Sequence, residues 1–353
     1  MTAGTPSGRA QSLGAQLFMS SLAAAELMTM YLGVQLGLYD VLAQGPLTPA
    51  ELAGKAGIGE RYAREWLEQQ AAAGIVEVRE GRFELPEGHK LALADRTSPY
   101  YIAPLTVLPV GGISPALPQL MEAMRQGKGL PYDAYGEAMR VAQSGMNKPV
   151  FEHQLPQWIR SAMPDVHQAL RATGAAIADV GCGTGTSSLV LARTYPQARV
   201  HGFDLDATAI ETARATIPSN VDRIRFEARD IAGHTEGAGA YDLVCIFDAL
   251  HDMPRPVDVL RACRALLKPG GSVLLMEPKA GERFTAPASE MERFIYTVSV
   301  LHCLPVGLME QPSAGTGAVL RPETLRRYAS AAGFSRTAVL DVDHRFHRLY
   351  RLS

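Results

Sequence analysis

Apolar residues recur every three or four positions near the start of the chain, which is the spacing of one face of an α-helix. From about Gln16 to Leu36 this pattern predicts a helix, interrupted near Gly33. A second helix is predicted to begin after Thr48, because this threonine N-cap is followed by proline at the first helical position and by glutamate at the third. A third helical pattern runs from Gly59 to Gly74.

Residues 75–78 and 82–85 predict two short strands around Glu80 and Gly81, a pair that favours a hairpin turn. Three helices followed by a hairpin indicate a winged helix, so we assign residues 1–95 to a mainly helical, winged-helix-like domain. Winged helices often bind DNA, yet residues 40–95 hold ten acidic and six basic side chains. Because Lys and Arg supply most of the affinity for phosphates, we expect a homodimerisation domain and no nucleic-acid partner.

Residues 96–170 are predicted to form a helical connector that walls a substrate pocket. Within them, the stretch Thr97–Met121 carries no charged residue and could be taken for a membrane span. Its five prolines and the pair Gly111-Gly112 argue against one continuous helix, so no membrane contact is expected.

From Ile177 onward the pattern changes to alternating strands and helices. Strands are predicted at residues 178–180, 200–203, 224–227, 243–247, 272–277, 338–343 and 347–352. This alternation indicates an α/β domain over residues 171–353, with a doubly wound, mostly parallel, seven-stranded sheet covered by helices on both faces. The last two strands have no helix between them, so we expect an antiparallel hairpin at one edge.

The composition is that of an ordinary globular protein. The chain has 353 residues, of which 47% are hydrophobic and 20% charged, and its formal net charge is -2. This balance indicates no general attraction to nucleic acid or to anionic membranes. The four cysteines form no C-x-x-C pair, which argues against a disulfide framework or a zinc site. With no signal-peptide pattern, we expect a cytoplasmic protein.

Residues 179–185, Asp-Val-Gly-Cys-Gly-Thr-Gly, follow a predicted strand and open a helix. Glycine at 181, 183 and 185 permits a tight turn and lets the backbone approach a ligand that any Cβ would repel. The dinucleotide fingerprint G-x-G-x-x-G places its last glycine one residue later. We therefore assign Asp179, Gly181, Gly183 and Gly185 to a nucleotide site of a different kind.

Acidic residues at the ends of the next two strands complete this predicted site. Asp204 ends the second strand and can accept both hydrogens of the ribose hydroxyls, with Leu205 beside it. After the third strand, Asp230 could accept a hydrogen bond from an adenine amino group while Ile231 packs on the ring. Phe247, at the end of the fourth strand, completes the cofactor-binding set.

The run from Asp179 to Gly185, followed by Asp204, Asp230 and the Leu-Lys-Pro-Gly-Gly turn at residues 267–271, resembles the class I methyltransferases. This resemblance implies a Rossmann-like fold and S-adenosylmethionine as the cofactor, with S-adenosylhomocysteine as the product. No metal is expected, because the convergent Asp and Asn ligands of metal-dependent relatives are not evident in the sequence.

Residues 247–253 are similar to the His-Asp-Trp stretch of small-molecule O-methyltransferases that carry an N-terminal winged-helix dimerisation domain. In that family the histidine is the general base. The resemblance implies that His251 takes this role and that Glu277, at the end of the fifth strand, holds it. Met253 stands where the family has tryptophan, and Asp252 is interpreted as a turn residue. The chain is also similar to bacterial winged-helix methyltransferases of undefined substrate.

We therefore expect methyl transfer to oxygen of a small, apolar or phenolic acceptor, since a histidine base near a hydroxyl is worth about 100- to 10,000-fold in rate. Three alternatives stay open. The enzyme could methylate nitrogen or carbon by alignment alone. The chain could instead be a regulator that senses S-adenosylmethionine and binds DNA through its winged helix, or an NAD-dependent oxidoreductase.

Overall fold

The computed structural model describes residues 5–217, 221–233 and 237–353. The chain divides into two compact units, Met1–Gly111 and Gly112–Ser353, which we describe separately. The finer division into residues 1–95, 96–170 and 171–353 stays a prediction. The charge-free stretch from residue 97 to 121 is broken into short α, π and 3-10 segments, which confirms that it is not one continuous helix.

The N-terminal unit contains the three helices and the hairpin that the sequence predicts. Its elements are α1 (Pro6–Gln35), α2 (Leu38–Leu42), α3 (Pro49–Ala56), α4 (Glu60–Ala72), β1 (Glu77–Arg79), β2 (Arg82–Glu84), α5 (Glu87–Leu93) and α6 (Pro104–Val107). The predicted capping box of α3 is confirmed: the Thr48 hydroxyl accepts from the Glu51 backbone N–H, and the Glu51 carboxylate accepts from that of Thr48. Strands β1 and β2 pair antiparallel.

Helix α1 runs without a break through Gly33, so the predicted interruption there is wrong. The glycine is needed for close packing: a Cβ at Gly33 would lie 2.6 Å from the Trp66 ring and 2.6 Å from the Tyr39 ring. Among the described helices, α1 alone is long and apolar enough to cross a membrane, a test that signal sequences and buried helices also pass. The absence of a membrane contact stays a prediction.

A matched pair of substitutions in α1 tests this packing. We expect Gly33→Ala to lower the melting temperature, because forcing a methyl group into a filled interior costs about 1–3 kcal/mol. Gly14→Ala is the control, since a Cβ there meets no described atom within 4 Å and alanine favours the helix by up to about 1 kcal/mol. Differential scanning calorimetry would show the two shifts in opposite directions; an equal rise in both would contradict the packing argument.

The C-terminal unit alternates strands and helices as predicted. Its helices are α7 (Leu117–Gln126), α8 (Gly136–His153), α9 (Leu155–Ala162), α10 (Pro164–Leu170), α11 (Thr186–Thr194), α12 (Ala207–Ala215), α13 (Pro256–Leu266), α14 (Glu290–Val298), α15 (Leu304–Gly307) and α16 (Pro322–Ala331). Its strands are β3 (Ala176–Val180), β4 (Arg199–Asp204), β5 (Ile224–Ala228), β6 (Tyr241–Phe247), β7 (Leu267–Pro278), β8 (Thr337–Val339) and β9 (His347–Leu352).

The seven strands of this unit form one sheet in the order β5-β4-β3-β6-β7-β9-β8. Strands β3 to β7 are parallel to one another, while β9 is antiparallel to both β7 and β8. The predicted class I methyltransferase fold is therefore confirmed, together with its antiparallel edge. Strand order reverses between β3 and β6, which is where doubly wound sheets bind ligands at the carboxyl ends of their strands.

The central strands are buried on both faces of the sheet. Ile177 and Cys245 belong to an apolar cluster on one face, and Val180 and Ile246 to a cluster on the other. This alternation follows from the two-residue period of a strand. Because both faces are covered, the strand ends offer the cleft in which polar groups can meet a ligand.

Candidate active site

A cavity of about 650 Å³ opens at the carboxyl ends of β3, β4 and β6. Most of the residues predicted to bind the cofactor line it. These are Gly181, Gly183, Asp204, Leu205, Asp230, Ile231 and Phe247. The structure thus brings together side chains that are separated by up to 66 positions, because the strand ends meet at one edge of the sheet. The two remaining residues of the set, Asp179 and Gly185, lie behind this lining.

The glycine turn after β3 has one open position, Gly183, and two crowded positions, Gly185 and Gly181, where a Cβ would lie 2.7 Å from the Ala249 side chain. A Cβ at Gly183 would meet no described atom within 4 Å, so the space beside it is free for a ligand. A Cβ at Gly185 would lie 2.5 Å from the Phe226 ring, and the φ angle of +83° already disfavours other residues. Gly183 therefore permits close approach of a ligand, whereas Gly185 permits packing of the turn on β5.

Asp179 supports this turn from beneath. Its Oδ2 accepts hydrogen bonds of 2.6 Å from the hydroxyls of Ser187 and Ser188, at the start of α11. Its Oδ1 is buried with no hydrogen-bond partner in the described part of the chain. Burial raises the pKa of Asp179 to about 6, although the two hydroxyls oppose this shift. Asp179, which was predicted to bind the cofactor, is thus placed to hold the glycine turn.

The buried carboxyl of Asp179 makes stability depend on pH. Its pKa rises from 3.8 when unfolded to about 6 when folded, so the folded state holds the proton more tightly. Its contribution is fully favourable below pH 4 and is lost as the pH rises from about 4 to about 6, a difference of roughly 3 kcal/mol. We expect the stability of Asp179→Asn relative to the wild type to improve by roughly 2 kcal/mol between pH 4.5 and 7.5, because about a third of the loss has already occurred at pH 4.5. Urea unfolding at both values measures it; a pH-independent difference would contradict the shift.

Asp204 lies at the end of β4 with both oxygens turned to backbone N–H groups. Its Oδ2 accepts from Gly183 at 2.8 Å and its Oδ1 from Asp206 at 2.9 Å. Burial raises the pKa of Asp204, while these two N–H groups lower it. Asp206 caps α12 as predicted. Leu205 is 62% exposed beside the cavity, an apolar surface that a bound ligand would cover.

The third group of predicted cofactor residues lies on the far side of the cavity. Asp230 accepts from the Ala232 backbone N–H at 2.8 Å and from the Arg255 guanidinium at 2.7 Å. Ile231 is buried next to it, at 4% exposure. An acidic acceptor beside an apolar side chain is the arrangement predicted to hold an adenine ring, and this role stays a prediction.

His251 and Glu277 form a buried pair at the ends of β6 and β7. His251 Nδ1 lies 2.6 Å from Glu277 Oε2, and Glu277 Oε1 accepts from the Leu250 backbone N–H at 3.0 Å. Both residues are buried, at 3% and 0% exposure. Burial by itself would lower the pKa of His251, but the carboxylates of Asp252 and Glu277 outweigh it and hold this pKa well above 6.5.

Comparison with known proteins agrees with this geometry. Residues 178–273 match the family described as methyltransferase domain, and residues 23–95 match the Rv2258c-like winged HTH domain. A ubiquinone biosynthesis O-methyltransferase of Ralstonia nicotianae is 30% identical over 191 residues, which span 52% of this chain and 67% of the relative. The chain is a class I S-adenosylmethionine-dependent methyltransferase. The predicted N-terminal winged helix is confirmed as well.

Two solved structures share the fold of this methyltransferase. The mitomycin 7-O-methyltransferase MmcR is 20% identical, with a TM-score of 0.69 over 98% of this chain and 100% of that protein. Human N-acetylserotonin methyltransferase, solved with S-adenosylmethionine, is 20% identical, with a TM-score of 0.66 over 100% of this chain and 99% of that one. At this identity the likeness establishes the fold.

Helix α8 belongs to the segment that was predicted to wall the pocket, but the sequence did not single out the polar residues that it places at the methyltransferase cavity. Asn147 donates to Asp248 Oδ2 at 3.1 Å, and the Ser144 hydroxyl lies 2.8 Å from that of Thr184 in the glycine turn. Arg140 donates from Nε to Asp206 at 2.5 Å. These are ordinary polar residues on a helix face, and their partners lie far away along the chain. Their spacing in the sequence therefore does not predict these contacts.

Asp252 was interpreted from sequence as a turn residue, and it does end the 3-10 turn Leu250–Asp252. It also lines the cavity, and its Oδ1 lies 3.2 Å from His251 Nε2. In the sequence, the only indication of this contact is that Asp252 directly follows the candidate base His251. A ring nitrogen of His251, a carboxylate oxygen of Asp252 and the thiol of Cys303 lie within 4.8 Å of one another. The expectation that the enzyme uses no metal stays a prediction.

Proposed function

We propose that this methyltransferase transfers a methyl group to oxygen of a small, apolar or phenolic acceptor. His251 belongs to the set of side chains that removes the acceptor's proton. The observation that carries the proposal is the buried pair of His251 and Glu277, held at 2.6 Å beside the cavity. A carboxylate in this position fixes the orientation of the imidazole, as a general acid–base group requires. The name of the Ralstonia relative, an O-methyltransferase, supports oxygen as the acceptor atom.

The cavity residues fit S-adenosylmethionine. The open space at Gly183, the paired oxygens of Asp204 and the exposed side chain of Leu205 offer a close backbone approach, hydroxyl acceptors and an apolar surface. Asp230 and Ile231 would hold the adenine end, and Phe247 would complete the cofactor-binding set, as predicted. When bound, the cofactor supplies a methyl group on a sulfonium, which a nucleophile displaces in line.

The cavity is also suited to an apolar acceptor. Its lining combines aromatic, aliphatic and thioether side chains: Tyr132, Phe151, Met253, Val306 and Met309. Ligand sites of this kind bury most of a small molecule against apolar surface and orient it with few polar groups. Alignment of a bound acceptor in such a cavity can lower the barrier by roughly 7–11 kcal/mol at best.

We also propose that the enzyme is a cytoplasmic homodimer assembled through its N-terminal domain. Helix α1 carries large apolar side chains that are at least 40% exposed within this chain: Leu13, Leu17, Phe18, Met19, Leu22, Met28 and Leu32. Burial of apolar surface is the main driving force of association. A second copy of the chain would bury these positions.

A metabolite screen with methyl-labelled S-adenosylmethionine tests the proposed function. We expect the label in compounds that carry an aromatic or alcoholic hydroxyl, as a new methyl ether. Label on nitrogen or carbon would favour the alignment-only alternative and contradict the role of His251. Absence of any transfer, together with salt-dependent DNA binding, would favour the regulator.

A further inference from the structure

Asp252 stands between His251 and the cavity. His251 is 4% exposed at its side chain, whereas the side chain of Asp252 is 19% exposed and lines the cavity. The Nδ1 atom of His251 is already engaged by Glu277 at 2.6 Å. Its Nε2 atom lies 3.2 Å from Asp252 Oδ1, and the thiol of Cys303 lies within 4.8 Å of a ring nitrogen of His251. A molecule in the cavity therefore meets the Asp252 carboxylate before the imidazole.

The two oxygens of Asp252 have different surroundings. Oδ1 is buried and, apart from its ion pair with His251, has no hydrogen bond to any residue that the structure describes. Since Oδ1 is enclosed, Oδ2 is the oxygen of this carboxylate that a molecule in the cavity can reach. One carboxylate thus connects the cavity to the buried imidazole.

We infer that Asp252 is a further catalytic residue, whose Oδ2 accepts the hydrogen bond of the acceptor's reacting hydroxyl and then its proton. The inference rests on the proposed function and deepens it. His251, flanked by Asp252 and Glu277, then acts as the cation that orients Asp252. Asp252 then takes the general-base role that the sequence resemblance assigns to His251, and His251 becomes a positioning residue.

The charges around His251 favour this division of roles. Asp252 lies beside it on the same turn, and Glu277 faces it from β7. The other neighbours are Cys303 and His302, which follow α14, His347 of β9, and Asp248, which follows β6. Burial lowers the pKa of His302 and of His347, so these neighbours add little positive charge. The pKa of His251 stays high, and an imidazole that already holds its proton cannot take another.

The proton transfer balances without any other reactant. The O–H bond of the acceptor breaks, its proton goes to Oδ2 of Asp252, and the oxygen's electron pair forms the new bond to the methyl carbon. The bond between that carbon and sulfur breaks, and its electron pair stays on sulfur. As the methyl group is transferred, the hydroxyl becomes strongly acidic, so a carboxylate is basic enough to accept its proton.

The kinetic test compares Asp252→Asn, Asp252→Glu and the control Asp258→Asn, whose side chain lies on α13 and is 42% exposed. Methyl transfer is measured with labelled S-adenosylmethionine on phenol, catechol and hydroquinone, and on any oxygen acceptor from the screen. We expect Asp252→Asn to lower kcat/KM about 100- to 10,000-fold, Asp252→Glu to restore part of it, and the control to match the wild type. Affinity for S-adenosylhomocysteine, measured by calorimetry, should be unchanged in all three.

A second measurement does not depend on activity. The ring nitrogens of His251 are titrated by NMR in the full-length protein with S-adenosylhomocysteine bound. We expect the pKa of His251 to fall in Asp252→Asn, because the carboxylate that faces Nε2 is removed. An unchanged pKa would overturn the inference, and so would one equivalent of zinc in the purified protein that is lost in Cys303→Ser.

The two proposals fail in different ways. If His251→Ala abolishes O-methylation and Asp252→Asn does not, the inference is overturned and the proposed function stands. If the wild type methylates only nitrogen or carbon, the proposed function fails, and the inference fails with it. In that case the NMR titration still shows whether Asp252 sets the charge of His251.

Discussion

Replacing His251 by alanine is expected to lower turnover about 100- to 10,000-fold, the range that a positioned acid–base group contributes. The physical reason is that the imidazole sits between Asp252 and Glu277 at the end of two strands and orients the carboxylate that faces the cavity. Because all the predicted cofactor residues except Phe247 belong to other strand ends, affinity for S-adenosylhomocysteine should stay within a few-fold of the wild type. Steady-state kinetics and calorimetry measure the two quantities.

A second histidine of the same sheet provides the control for this substitution. His201 on β4 lies 3.3 Å from Glu227 and 3.0 Å from the Tyr241 hydroxyl, and it belongs to the part of the sheet behind the cavity. His201→Ala should therefore retain turnover, even if it costs stability. Near-normal turnover in His251→Ala would contradict acid–base catalysis and leave alignment as the source of the rate.

Replacing Asp204 by alanine is expected to weaken binding of S-adenosylhomocysteine at least 100-fold. The carboxylate holds the glycine turn through Gly183 and is predicted to accept two ribose hydroxyls. Hydrogen bonds to a charged group contribute about 1.5–3 kcal/mol each, so the loss of two accounts for this effect. Isothermal titration calorimetry with the purified protein measures the dissociation constant directly.

Thermal stabilisation gives an independent measure of the same substitution. S-adenosylhomocysteine should raise the melting temperature of the wild type and of Asp258→Ala, but much less that of Asp204→Ala, because only a ligand that binds the folded state shifts the midpoint. NAD should leave all three unchanged, as expected if the glycine turn is not a dinucleotide site. Full stabilisation of Asp204→Ala would show that the ribose hydroxyls bind elsewhere.

Local patterns predicted most of the C-terminal fold correctly. The helix starts at Pro256 and Pro322 follow from the residues at those positions, since proline restricts the backbone where it stands. The predicted Pro-Gly-Gly turn at residues 269–271 instead lies within strand β7, which already begins at Leu267. Reliance on neighbouring residues also produced the wrong prediction of a helix interruption near Gly33. A glycine inside a helical pattern predicts a break, whereas its actual reason is the Trp66 ring, which lies 33 positions away in the sequence.

In the candidate site, too, some features follow from neighbouring residues and others from contacts between distant residues. Strand-helix alternation along the chain was enough to place Gly183, Asp204 and His251 at one edge of a parallel sheet, because each lies at or shortly after the carboxyl end of a strand. The groups that face them could be identified only from the packing of the folded chain. Asn147 of α8 reaches Asp248 across 101 positions, and the packing of Cys303 and Glu277 around His251 leaves Asp252 as the carboxylate exposed to the cavity. Such contacts depend on how distant elements pack, and no spacing along the chain encodes them.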